Sequence, residues 1–219
     1  MEEPLEFIED EMSIKAKDKS DYFKIKYYKD EKYFFSKSAY TRFTKAVEQL
    51  VYTAPEYSAY IAFLKNSVKL DHCMILSGIN DDKAEIEMHH GPILTLHDYV
   101  IITLEYFLKT KKPTSTFLVA KEILKDHQNN IIQVVMLSKT MHQLVTAKKL
   151  IIPLEMAWGS LDNYLYKYQE YVPEEIMNKI NDYKRLCDEN KLEDNKFIKL
   201  NKQVTDWNTK VVELIQKDN

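Results

Sequence analysis

Val134-Val135-Met136-Leu137-Ser138-Lys139-Thr140-Met141-His142-Gln143-Leu144-Val145 changes character halfway along. Its opening residues are apolar without a break, which suits a buried strand, and the spacing predicts one over 131–136. Ser138 is a residue of N-cap type, whose hydroxyl can accept from the amides of the next turn. A short helix is expected from Lys139 to about Ala147, carrying His142 near its first turn. The stretch therefore reads as strand, cap, helix.

A second stretch upstream completes the pattern. In Ala84-Glu85-Ile86-Glu87-Met88-His89 the apolar residues Ala84, Ile86 and Met88 face one way, and Glu85, Glu87 and His89 the other. Asn80-Asp81-Asp82 is a turn before it, and Gly91-Pro92 ends it. The apolar run Cys73–Leu76 predicts a further short strand. His89 and His90 are neighbours at the strand end. Neighbours on a strand point to opposite faces, but where the chain turns both can reach one cleft. The order is β-β-α, with a histidine pair on the first strand and one histidine on the helix.

The rest of the chain is mainly helical in pattern. Tyr40, Phe43, Val47 and Leu50 follow helical spacing from Ser38. Thr53-Ala54-Pro55-Glu56 reads as a capping box opening a helix to about Asn66, with Tyr57, Tyr60, Ile61 and Leu64 on one face. Thr95-Leu96-His97-Asp98 opens a helix to about Lys109, and Pro113-Thr114-Ser115 another to about Asp126. Ser160 starts a tyrosine-rich helix to Tyr171. There Tyr164, Tyr168 and Tyr171 share a face that suits core packing and, alternatively, base stacking. Pro173 opens a helix carrying Ile176, Ile180, Tyr183 and Cys187. A last helix carries Phe197, Leu200, Val204, Trp207, Val211 and Leu214, a 3–4–3–4–3 seam of coiled-coil type. The two together suggest a helical hairpin. Near the start, Phe23–Tyr27 and Lys32–Phe35 suggest a small β-hairpin. The fold class is thus α+β, mostly helical. Three regions are expected: 1–70, a β-β-α core at 71–155 with a helical insertion at about 95–127, and a helical region at 156–219.

Composition narrows the function. The 219 residues hold 3 Gly, which argues against a glycine-rich phosphate loop. Lys+Arg is 31 against Asp+Glu 34, a net charge of −3, so any nucleic-acid contact has to come from a local patch. Only Arg42 and Arg185 are arginines, and tyrosine is abundant at 15, a bias expected of an AT-rich genome. Cys73 and Cys187 are too few for a disulfide framework and read as buried thiols in a reducing compartment. The N-terminus is acidic without an apolar core, so no secretory signal is visible. No run of about 18 apolar residues predicts a membrane span.

The β-β-α order resembles the HNH, or ββα-metal, nuclease family. Glu87-Met88-His89-His90 is similar to its E-x-H-H motif, and Leu137–His142 to its L-C-x-x-C-H motif with both cysteines replaced. The run from Ile86 to Pro153 also resembles a group of phage proteins sharing IE-x-HH-x-P, L-x-D, LSKT-x-H-x-LV and L-x-IP. The resemblance implies His90 as general base, His89 and His142 as ligands of a divalent metal (Mg2+, Mn2+, Ni2+ or Zn2+), and DNA phosphodiester hydrolysis. Glu87, Asp126 and His127 are candidates to complete the metal site. Gln133 stands where the family places an Asn, with Asn129 and Asn130 close by, and Thr146 replaces a second helix histidine.

Two functions follow. One is a metal-dependent phage endonuclease in the host cytoplasm, with DNA as partner. The other is a catalytically inactive structural or interaction protein of the same descent, in the virion or bound to a host factor. That second protein would self-associate or dock a partner protein through its helices at 173–217. No membrane partner is expected from either.

Overall fold

The structure is a computed structural model that describes residues 7–9, 24–26, 34–76, 78–147 and 149–192, with side chains at 34–76, 78–147 and 149–188. The chain is an α+β protein, mostly helical. In order its elements are β1 (Phe7–Glu9), β2 (Lys24–Lys26), α1 (Lys37–Thr53), α2 (Pro55–Asn66), β3 (Ile86–His90), α3 (Leu96–Lys109), α4 (Thr116–Gln128), β4 (Val134–Ser138), α5 (Lys139–Thr146), α6 (Leu161–Tyr168) and α7 (Glu174–Leu192).

β3 and β4 pair antiparallel, with Met88 opposite Met136 and His90 opposite Val134. Every residue of β4 is buried, as its unbroken apolar run requires. Its second edge is also satisfied. Val134 exchanges backbone hydrogen bonds with Trp158 at 2.8 and 2.9 Å, and the Met74 amide donates to the Met136 carbonyl at 2.9 Å. A buried strand with an open edge would leave unpaired polar groups away from water. Here two irregular segments remove that penalty.

α3 and α4 lie between β3 and β4 in sequence. α1 packs on α4 and α3, and α2 packs on α1 and α4. The buried stripe of α1 is Ala39, Phe43, Thr44, Val47 and Val51. Val47, Val51 and Leu64 are fully buried, and each such side chain contributes about 1.5–3 kcal/mol. α3 begins in a complete capping box: Thr95 accepts from the Asp98 amide, and Asp98 accepts from the Thr95 amide at 2.7 Å. Ser115 and Ser160 cap α4 and α6 through their hydroxyls. On α7, Ile176, Ile180 and Cys187 are buried, and the Tyr183 hydroxyl bonds both the amide and the carbonyl of Ile152. Cys73 and Cys187 are both buried thiols. No helix among the described residues is long and apolar enough to cross a membrane.

Several local expectations need correcting. Lys24–Lys26 is a strand and pairs with Phe7–Glu9, while 32–33 of the expected hairpin lie outside the described residues. Phe34 and Phe35 lie in a short 3-10 turn. Thr53 is the last residue of α1, and its hydroxyl bonds back to the Gln49 carbonyl, so it does not cap α2; Ala54 holds that position without a side-chain bond. Cys73–Leu76 is irregular, because its one regular contact with the sheet is the Met74 amide. The strand expected over 131–136 is shifted to 134–138. Ser138 stands at the N-cap of α5 with extended backbone, yet its buried hydroxyl makes no bond. The tyrosine helix ends at Tyr168 and continues as a 3-10 turn to Tyr171. The seam from Phe197 to Leu214 lies outside the described residues.

Candidate functional site

β3 alternates without interruption to its end. Ile86, Met88 and His90 are buried, while Glu87 and His89 are partly exposed on the other face. This separates the two neighbouring imidazoles. The expected turn that would bring both into one cleft is absent, because His90 is still paired with Val134 and Gly91 continues the ladder by donating to the Gln133 carbonyl at 3.2 Å.

The outward face carries one cluster. His142 on α5 approaches Glu87, with Nδ1 2.5 Å from Oε2. The His89 and His142 rings meet edge-on with centroids 4.8 Å apart. Lys139 lies 3.3 Å from Glu85 beside them. Burial, and after it the charge of His142, holds His89 down to about 4. Thr146 turns its hydroxyl to the His142 carbonyl at 2.8 Å and closes the helix turn. The sheet register and α5 thus bring together Glu87, His89 and His142. No group of three or more metal-ligand side chains arranged to hold an ion is present among the described residues.

The inward face is a different environment. His90 is 6% exposed and His127 is fully buried. Their Nε2 atoms are 2.9 Å apart. His127 Nδ1 lies 2.8 Å from the Ile123 carbonyl, one turn back on α4. A carbonyl only accepts, so Nδ1 of His127 carries the proton and Nε2 holds a lone pair. His90 Nε2 must therefore donate to it. Tyr57 stacks on His90 at 6.0 Å, Tyr52 and Tyr99 flank it, and Tyr57 and Tyr60 pack edge-on against His127. Burial pushes both imidazoles down, His127 to about 4 and His90 well below its ordinary value, so both are neutral at pH 7. Such a ring has no route to a hydrated ion or to an attacking water. The three histidines do not converge, and the implied general base is a core residue.

Of the supporting candidates, Asn130 and His127 are bonded away from the outward cluster, while the buried Gln133 side-chain oxygen has no partner among the described residues. Asn130, at φ +55°, accepts from Tyr60 at 3.2 Å and from the Trp158 indole at 3.0 Å. Gln133 is buried, and its backbone amide donates to the Tyr99 hydroxyl at 3.0 Å. Asp126 is fully buried and faces α6, where Lys167 and Tyr168 each lie 2.6 Å from its carboxylate; Lys167 also reaches Glu122 at 2.7 Å. Sequence reasoning missed this ion cluster. The signal was the i, i+4 spacing of Glu122 and Asp126 on one helix face. His97 stands in the first turn of α3, and its Nδ1 contacts Glu48 of α1.

The chain is mostly helical α+β, with its histidines divided between core and surface. Its class is given by family: the chain belongs to the bacteriophage G278-like virion proteins, whose family description matches residues 4–218. This corrects the HNH resemblance, which rested on residues 86–153 and on motifs that the register of β3 pulls apart. No curated protein and no solved structure matches the chain.

Proposed function

We propose that the protein is a structural component of the phage particle, acting through protein contacts and not through chemistry at its histidines. The family match supports a place in the virion. The observation that carries the non-catalytic reading is His90, whose ring is sealed against His127 and a wall of tyrosines. The contact surface in this reading is the C-terminal seam, with Phe197, Leu200, Val204, Trp207, Val211 and Leu214 at heptad spacing. Two charges in that seam should abolish its contacts while leaving the described core intact.

Particles purified on a density gradient and washed in high salt are expected to retain the protein at a constant copy number, read by quantitative mass spectrometry. Its loss on washing, or its absence from the particles, rejects the virion role. Sedimentation of the full chain against the Val204→Asp, Trp207→Asp double variant tests the seam. The parent should sediment as the larger species, and equal monomers in both samples rule out self-association there.

A further inference from the structure

We propose that His127 is an acid-sensitive joint between β3 and α4, closed while its ring is neutral and loosened by a proton. The joint consists of one hydrogen bond whose direction is dictated from outside it. The Ile123 carbonyl holds the proton of His127 on Nδ1, which leaves Nε2 as the only acceptor for His90. A proton added to His127 Nε2 places two N–H groups face to face across 2.9 Å unless His90 changes tautomer. In both cases a charge is left in an apolar enclosure.

Among the described residues, nothing around the pair offers a counter-charge. The groups facing it are Tyr52 at the end of α1, Tyr57 and Tyr60 from α2, and Tyr99 from α3. Glu48 on α1 is engaged with His97, and Asp98 on α3 with Thr95 and Lys179. Asp126, next in sequence to His127, is held by Lys167 and Tyr168. Across the strand stand His89 and His142, and a proton on either one disfavours a charge on His90. No carboxylate among the described residues is hydrogen-bonded to either ring of the pair. A buried cation without a partner is strongly unfavourable.

The sign follows from proton uptake. In the unfolded chain His127 takes its proton near 6.5, while in the fold burial holds it down to about 4. The unfolded state therefore binds more protons throughout that interval. The stabilisation is complete above pH 6.5 and is lost as pH falls toward 4. From pH 7 to pH 5 the folding equilibrium should weaken roughly 20-fold through this one group. The same opening loosens Tyr60, which packs on His127 and shares Asn130 with Trp158, so the indole reports it.

The test is urea unfolding of the full chain at pH 7 and pH 5, in wild type, in His127→Gln and in the double variant His90→Phe, His127→Phe. The double variant removes both hydrogen-bonding partners at similar volume, so it leaves no orphan group if the single variant fails to fold. Between the two pH values wild type is expected to lose roughly 20-fold more than His127→Gln, and more again than the double variant, which also removes the depressed His90. An equal loss in wild type and the variants overturns the proposal. So does an NMR titration in which the His127 ring of the folded wild type takes up its proton at or above pH 6.

Discussion

Gly159 adopts φ +101°, and a Cβ built there would lie 2.1 Å from the Ile132 carbonyl oxygen. Both the backbone angle and the collision with main chain are tolerable only to glycine, and the neighbouring Trp158 bonds that close the edge of β4 depend on this approach. Gly159→Ala is expected to lower stability by roughly 3 kcal/mol, read as a fall in the urea midpoint. His89 offers a second test at the same scale. Burial is the larger cause of its depressed affinity for protons and the charge of His142 the smaller. In His142→Ala the NMR titration of His89 should therefore move upward from about 4 yet stay below the ordinary 6.5. A midpoint that stays put would show that His142 carries no charge felt by its neighbour.

α4 and α6 are joined through charge as well as packing. Asp126 is buried, and burial pushes its carboxyl up while Lys167 and Tyr168 pull it down. Lys167 loses by burial and gains from Asp126 and Glu122, with a net rise that keeps it charged. Truncating one member of such a cluster is worse than never having built it, since the other charge stays buried and unpaired. Lys167→Met should cost about 3 kcal/mol in equilibrium unfolding, more than an exposed pair such as Arg185–Asp182 contributes. A Lys167→Met protein as stable as its parent would mean that the cluster is solvated. The elements themselves were largely legible. Apolar spacing located α1, proline at the first turn marked α2 and α7, and hydroxyl caps marked the starts of α3, α4 and α6, because caps and periodicity are set within one turn of the chain. Cys73–Leu76 was not legible, since an apolar run does not say whether a sheet edge lies beside it.

Across the whole molecule, the arrangement of helices around β3 and β4 determines what each histidine becomes. α5 covers one side of β3, so Glu87, His89 and His142 meet there. α2 and α4 cover the other, so His90 meets His127, 37 residues away in sequence. The motif Glu87-Met88-His89-His90 was visible as a string, but a string does not carry the direction of its side chains. The sequence by itself determined the α+β class, the β-β-α order and most helix starts, because these rest on hydrogen bonds and apolar spacing between near neighbours. Only the tertiary structure decided that His90 belongs to the core. Strict two-residue alternation sends it away from His89, and the helices packed behind the sheet, not the residues beside it, supply its partner.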